Sequence, residues 1–149
     1  MRRFEKVSRI EEEIKLPERA TEDSAGYDFF AIEDVIIPPY KLGDDPFMIP
    51  TGIKAQVERR EFIMLVNRSS NPKKKKLVIP NSVGVIDSDY YENPDNDGEM
   101  FFGFHNLSHE PVEIKKGERL GQGIIMEYKI VDNDKAVGKR NGGFGSTGK

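Results

Sequence analysis

The sequence predicts an all-β protein, on three observations. Turn signals recur closely along the chain, at Pro38-Pro39, Pro50-Thr51-Gly52, Asn71-Pro72, Asn93-Pro94, Asp97-Gly98 and Lys116-Gly117. The segments between them are short and rich in β-branched and aromatic residues. Helical character is confined to residues 11–16, where Pro17 ends it. Many short strands at close spacing form a sandwich or a barrel.

In chain order, residues 52–57 follow the turn at Pro50 and read as the first clear strand. Residues 62–66 are an unbroken apolar run, Phe-Ile-Met-Leu-Val. Residues 77–79 leave a run of four lysines, and residues 83–86 lead from Val83 toward Asp87. Residues 100–104 begin after the Asp97-Gly98 turn, 112–114 precede the Lys116-Gly117 turn, and 124–130 close the series. Beyond Ile130 no strand pattern continues. Residues 1–131 therefore read as one β-domain and 132–149 as a C-terminal arm.

A chain of 149 residues is long enough for one domain with a sizeable core. Lys and Arg number 23 and Asp and Glu 26, a net charge of −3, which argues against a dedicated nucleic-acid binder. No cysteine is present, so disulfides and thiolate metal sites are excluded. No apolar run is long enough to span a membrane and the N-terminus has no signal-peptide core, so a cytoplasmic location is the expectation. Hydrophobic content of 36% is low for a lone globule and favours an oligomer that shares its core. The lysines at 73–76 follow a turn and read first as a solvated loop, with attraction of a polyanion as the functional alternative. An RNA-binding role lacks a stacking platform beside them. His105 and His109 have the spacing of a helical metal pair, but a strand and its following turn hold them too far apart to share an ion.

The tail, Arg140-Asn-Gly-Gly-Phe144-Gly-Ser146-Thr147-Gly-Lys149, is too poor in apolar residues to fold alone. Its glycines let backbone N–H groups curl around an anion, Ser146 and Thr147 add hydroxyl donors, and Arg140 adds charge. A phosphate has no use for the Phe144 ring, whereas a nucleobase does. The tail therefore reads as a flexible lid over a nucleotide. Literal matches to the dinucleotide glycine pattern and the P-loop both need a preceding strand and a following helix, and the sequence offers no such helix after Gly148.

Four upstream segments carry complementary chemistry. They are Ala25-Gly26-Tyr27-Asp28, Asn67-Arg68-Ser69-Ser70, the run from Asn81 through Gly84, Ile86 and Asp87 to Tyr90, and Gly117-Glu-Arg-Leu-Gly121-Gln122. With the tail, and in this order, they resemble the five motifs of the trimeric deoxyuridine triphosphatase (dUTPase) family, from about Ala25 to Lys149. The resemblance implies a distorted jelly-roll-like β-barrel with a flexible C-terminal arm, and Mg²⁺-dependent hydrolysis of dUTP to dUMP and pyrophosphate. That reaction lowers dUTP and supplies dUMP for thymidylate synthesis. Asp87 matches the carboxylate that orients and activates the attacking water. Tyr90 matches the ring beneath the deoxyribose, which excludes a 2′-hydroxyl. Asn81, with Gly84 and Ile86 of the same hairpin, matches the uracil contacts, and Phe144 matches the ring stacked on uracil. Arg68, Ser69, Ser70 and Gln122 match phosphate contacts, and Arg140, Ser146 and Thr147 match contacts to the terminal phosphates. Asp28 matches a residue that holds Mg²⁺ through water. The family forms homotrimers in which each site combines motifs from two subunits with the arm of the third.

This chain departs from the family pattern in three places. Arg140 stands one residue closer to Gly142-Gly143-Phe144 than is usual and Lys139 takes the usual place, so either could meet the γ-phosphate. Gly121 replaces a more usual alanine. Residues 92–99 extend the loop after Tyr91, which predicts an altered rim beside the uracil hairpin. Two further readings share the fold: a dCTP deaminase, alone or bifunctional with dUTPase activity, and a regulatory protein that engages a protein partner through the 92–99 loop.

Overall fold

The structure, a computed structural model, describes residues 1–145. Among them are eleven strands: β1 (Arg3–Lys6), β2 (Tyr27–Phe30), β3 (Val35–Ile37), β4 (Phe47–Pro50), β5 (Ile53–Gln56), β6 (Glu61–Asn67), β7 (Leu77–Val78), β8 (Gly84–Asp87), β9 (Phe101–Asn106), β10 (Val112–Ile114) and β11 (Arg119–Glu127). A four-stranded antiparallel sheet runs β2-β11-β6-β8 and a three-stranded one runs β4-β9-β7, with β1-β5 and β10-β3 as two-stranded ribbons. Among the described residues no helix is long and apolar enough to cross a membrane.

Alternation along two strands builds the core. On β6, Ile63 and Leu65 point inward while Phe62, Met64 and Val66 are half-buried. On β9, Phe102 and Phe104 point inward. The two sheets meet where Phe29 of β2 packs edge-on against Phe102, with ring centroids 5.6 Å apart. Phe29, Phe102 and Phe104 are each at most 1% exposed, and burying one such ring stabilises the fold by about 1.5–3 kcal/mol.

All seven expected strands are present: 112–114 matches β10 residue for residue, and the other six have shifted ends. The last begins at Arg119, five residues before the sequence pattern, and stops at Glu127. β1, β2, β3 and β4 were not apparent in the sequence. Residues 11–16 form no helix. Instead the Lys6 ammonium donates to the carbonyls of Glu11 and Glu12, which ties this stretch to β1 as irregular chain. The lysine run lies in a five-residue π-helical turn, Asn71–Lys75, closed by Lys76 in the left-handed region. Lys73, Lys74 and Lys76 are exposed, whereas Lys75 pairs with Glu118 at 2.7 Å.

Candidate active site

An apolar cavity of about 1140 Å³ is built on β8. That strand lies at the edge of its sheet, paired to β6 with Gly84 opposite Leu65 and Asp87 opposite Phe62. All four of its residues line the cavity, together with Asn81, Tyr90, Phe101, Arg140 and Phe144. An edge strand offers unpaired backbone donors and acceptors, which suits recognition of a planar polar ring.

At Asp87 the chain leaves the strand and enters a 3₁₀ turn, Ser88–Tyr90, which carries Tyr90 into the cavity wall at 5% exposure. The Tyr90 hydroxyl donates to the Glu99 carbonyl at 2.7 Å and accepts from the Asn96 amide at 2.7 Å. Burial pushes this phenol above its usual pKa, so it stays protonated. Asp87 itself is exposed. Arg140 spans both acids of this turn, with Nη2 on Asp87 and Nε on Asp89 at 2.7 Å. The Asp89 hydrogen bond, outweighing partial burial, raises the guanidinium pKa and keeps it charged. Arg140 faces the cavity, whereas Lys139 is exposed and does not line it.

Phe144 packs edge-on against Phe101 and Tyr90, with centroids 5.5 and 6.3 Å away. Gly143 makes this approach possible, because a Cβ there would lie 2.8 Å from a Tyr90 ring carbon. The arm thus docks on its own chain's Tyr90, whereas the family resemblance implies a neighbour's site. Ser146 and Thr147 lie outside the described residues.

A second cluster forms around Asp28, which is 4% exposed. Arg119 Nε lies 3.0 Å from Oδ2, and Gln122 Nε2 donates to Oδ1 at 3.2 Å. Arg119 and Gln122 are three apart and would face opposite sides of a regular strand. A bulge between Arg119 and Gly121 in the pairing with β2 inserts Leu120 into the core and restores their common side. Gly121 is required here, since a Cβ would sit 2.3 Å from a Phe102 ring carbon and 2.8 Å from the Val66 carbonyl oxygen. This crowding accounts for the missing alanine.

Arg68, Ser69 and Ser70 follow the end of β6, and Arg68 Nη1 reaches the Arg119 carbonyl at 3.5 Å. Buried Asn71 fixes this turn by donating to Asn67 Oδ1 at 2.8 Å and to the Leu120 carbonyl at 3.0 Å. Asn67 in turn donates to the Leu77 carbonyl.

The structure keeps the two groups apart. Asp28 on the β2 edge and Gln122 are level with Val66, and Asp87 on the opposite, β8 edge is level with Phe62. Three strand spacings and four residues separate Asp28 from Asp87, about 14 Å across and about 13 Å along the sheet. Arg68 lies six residues past Phe62, about 20 Å along β6. The expected base, sugar and catalytic residues therefore share one cavity, while Asp28, Arg68, Ser69, Ser70 and Gln122 form a separate polar cluster.

Sequence reasoning missed Arg119, Asn71, Asn96 and Phe101. Arg119 lies within the 117–122 segment, but nothing local signals the bulge that turns it toward Asp28. The Asn71-Pro72 pair was visible only as a turn.

The model of the dUTPase family matches residues 12–148. A deoxyuridine 5′-triphosphate nucleotidohydrolase of Lactococcus lactis is 48% identical over 151 residues, covering 99% of this chain and 98% of its own. Its counterpart in Nautilia profundicola is 34% identical, covering 97% and 98%. The crystal structure of a dUTPase from Streptococcus mutans shares 41% identity and a TM-score of 0.81, over 87% of this chain and 98% of that one. The strand-end acid, the buried tyrosine, the arginine-serine turn and the glycine-rich arm thus occur in a chain matched over nearly its whole length, which belongs to the dUTPase family.

Proposed function

We propose that this protein hydrolyses dUTP to dUMP and pyrophosphate, in a homotrimer whose sites join the β8 cavity of one chain to the Asp28–Arg68 cluster of another. The observation that carries this reading is the single cavity that unites Asn81, β8, Asp87, Tyr90 and Phe144. Uracil lies along the β8 edge and beside Asn81, where backbone groups read its polar rim, and Phe144 covers its face. Tyr90 supports the deoxyribose and leaves no room for a 2′-hydroxyl. Asp87, at the strand end, orients a water for attack on the α-phosphorus and draws off its proton.

The separation of the two groups supports a shared site. A substrate held on β8 leaves its triphosphate about 20 Å from its own chain's Arg68, beyond a phosphate clamp's reach. A neighbouring chain supplies the clamp in a closed cyclic assembly, and the arm makes on a neighbour the contacts that Phe144 here makes on Tyr90. Arg140 then has two stations. Without substrate it neutralises Asp87 and Asp89, and a triphosphate draws it away, which frees Asp87 for water.

Asp28 is a poor direct ligand for a cation, because Arg119 and Gln122 each bond one of its oxygens, and its expected role of holding Mg²⁺ through water is compatible with that pairing. Among the described residues no cluster of three or more His, Asp or Glu side chains is placed to hold a metal. A Mg²⁺ would be held chiefly by the substrate's phosphates, with Asp28 reaching it through water, and would supply neutralisation of phosphate charge. A related phage phi11 dUTPase coordinates a structural Mg(II) ion, though at 20% identity it shares only the fold.

The test is pyrophosphate release across dUTP, dCTP, dTTP and UTP with Mg²⁺. Release from dUTP far above the other three is expected. Conversion of dCTP to dUTP or dUMP would overturn the reading in favour of a deaminase.

A further inference from the structure

The loop at residues 92–99 is folded inward instead of forming a free rim. Asp97 accepts the Ser8 N–H at 2.8 Å and the Lys54 ammonium at 3.0 Å. Glu99, 2% exposed, receives Arg9 at 2.7 and 2.6 Å and the Gly52 N–H at 2.8 Å. Charged pairs of this kind, with the buried carboxylate fully hydrogen-bonded, hold a loop in one conformation. Immediately before these anchors lies Asn96. Its Oδ1 accepts the Gly98 N–H at 3.1 Å, which orients the amide, and its Nδ2 donates to the Tyr90 hydroxyl at 2.7 Å. That hydroxyl in turn donates a hydrogen bond to the Glu99 carbonyl. Both ends of the contact to Tyr90 therefore come from the loop.

We propose that Asn96 is a positioning residue for sugar selection: by fixing the Tyr90 hydroxyl from the anchored 92–99 loop, it holds the ring where a 2′-hydroxyl cannot fit. This rests on the reading of Tyr90 as the residue beneath the deoxyribose. Excluding one hydroxyl by contact needs the ring held to a fraction of an ångström, because a ring free to tilt makes room. A buried tyrosine without a partner for its hydroxyl also shifts to find one. The extended loop thus serves selectivity.

The experiment compares kcat/KM for UTP and dUTP in wild type, Asn96→Ala, the isosteric Asn96→Asp, Tyr90→Phe, Tyr90→Ala, the double variant Asn96→Ala/Tyr90→Phe, and the exposed loop control Asp95→Ala. Asn96→Ala and Asn96→Asp should raise the UTP-to-dUTP ratio by about five- to tenfold, the worth of one buried hydrogen bond. Tyr90→Phe should do the same, and adding Asn96→Ala to it should change the ratio no further, since both act through one hydroxyl. Asp95→Ala should leave the ratio at wild type. If an Asn96 variant fails to fold, Tyr90→Phe, which keeps the ring, carries the same test. A ratio unchanged in both Asn96 variants but raised in Tyr90→Ala overturns the role of Asn96 and leaves Tyr90 in place. A ratio unchanged even in Tyr90→Ala overturns the reading of Tyr90 itself, and the inference with it.

Discussion

The cavity on β8 and the cluster around Asp28 sit on one sheet and solve opposite problems. The cavity is concave and largely apolar, and in this structure it is lined by one chain from Asn81 to Phe144. The cluster is polar and internally satisfied, since Asp28 already holds Arg119 and Gln122, and Asn71 already holds Asn67 and Leu120. A base and sugar need a shaped, water-poor recess, which a strand edge and two rings supply. A triphosphate needs preorganised charge held rigid, which a hydrogen-bonded cluster supplies. On the proposed reading, the separation of about 20 Å along β6 makes each half dependent on a neighbouring chain, so that binding and assembly become one requirement.

The largest effect should come from Asp87→Asn. The substitution keeps the shape of the turn and removes the proposed proton acceptor, so kcat should fall by about 10²–10⁴-fold with dUTP binding retained. Single-turnover hydrolysis together with equilibrium binding checks both halves of the statement. A rate near wild type would remove Asp87 from the chemistry.

The division between the halves is itself testable by complementation. Arg68→Ala and Asp87→Asn should each be nearly inactive alone. Refolded together into mixed trimers, they should regain about one quarter of wild-type sites, because a random cyclic assembly pairs an intact β8 cavity with an intact neighbouring clamp that often. If one chain supplied both halves, every chain in the mixture would carry a defect and no activity would return.

A smaller effect is expected at the seam between arm and cavity. Gly143→Ala places a methyl 2.8 Å from the Tyr90 ring, so the arm must stand off. Loss of the lid admits water and loosens the phosphates, and kcat should fall by roughly tenfold while the barrel's thermal midpoint is unchanged. The chain has no tryptophan, so Phe144→Trp gives a single fluorescent reporter of closure. In the Gly143→Ala background its response to substrate should shrink.

The two regions also differ in how far the sequence revealed them. Asp87 and Tyr90 were legible because an apolar strand ending in an acid is a local pattern, and β8 with its 3₁₀ turn follows that pattern residue by residue. Arg119 was illegible as a partner of Asp28 because its side of the sheet depends on a bulge created by pairing with β2. The early start of β11 was hidden for a related reason. Gly121 and Gly123 lower strand propensity, yet Phe102 and Phe29 pack where their Cβ atoms would be. Asn96 resembled every other polar loop residue, and only the tertiary position of Tyr90 distinguishes it. β2 and β3 are too short, at four and three residues, to outweigh the neighbouring turn signals.

The smallest effect concerns the charge beside the phosphate cluster. Lys75 is neutralised by Glu118, and the hydrogen bond from Lys75 holds that carboxyl below its usual pKa. Lys73, Lys74 and Lys76 are exposed a few residues after Arg68, Ser69 and Ser70, with the Lys76 ammonium folded back onto the Lys73 carbonyl, in a chain whose net charge is −3. A tetra-anionic substrate approaching a negative protein gains from a local positive field, and screening confines that gain to about 10 Å at 0.1 M salt. Reversing the three charges to glutamate should slow dUTP association by about three- to tenfold at low ionic strength and reverse the sign of its salt dependence, with kcat unchanged. Stopped-flow quenching of the Phe144→Trp reporter across a salt series measures this directly. Equal association rates for both proteins at every salt concentration would leave the lysines as a solvated turn and assign all phosphate capture to the hydrogen-bonded cluster.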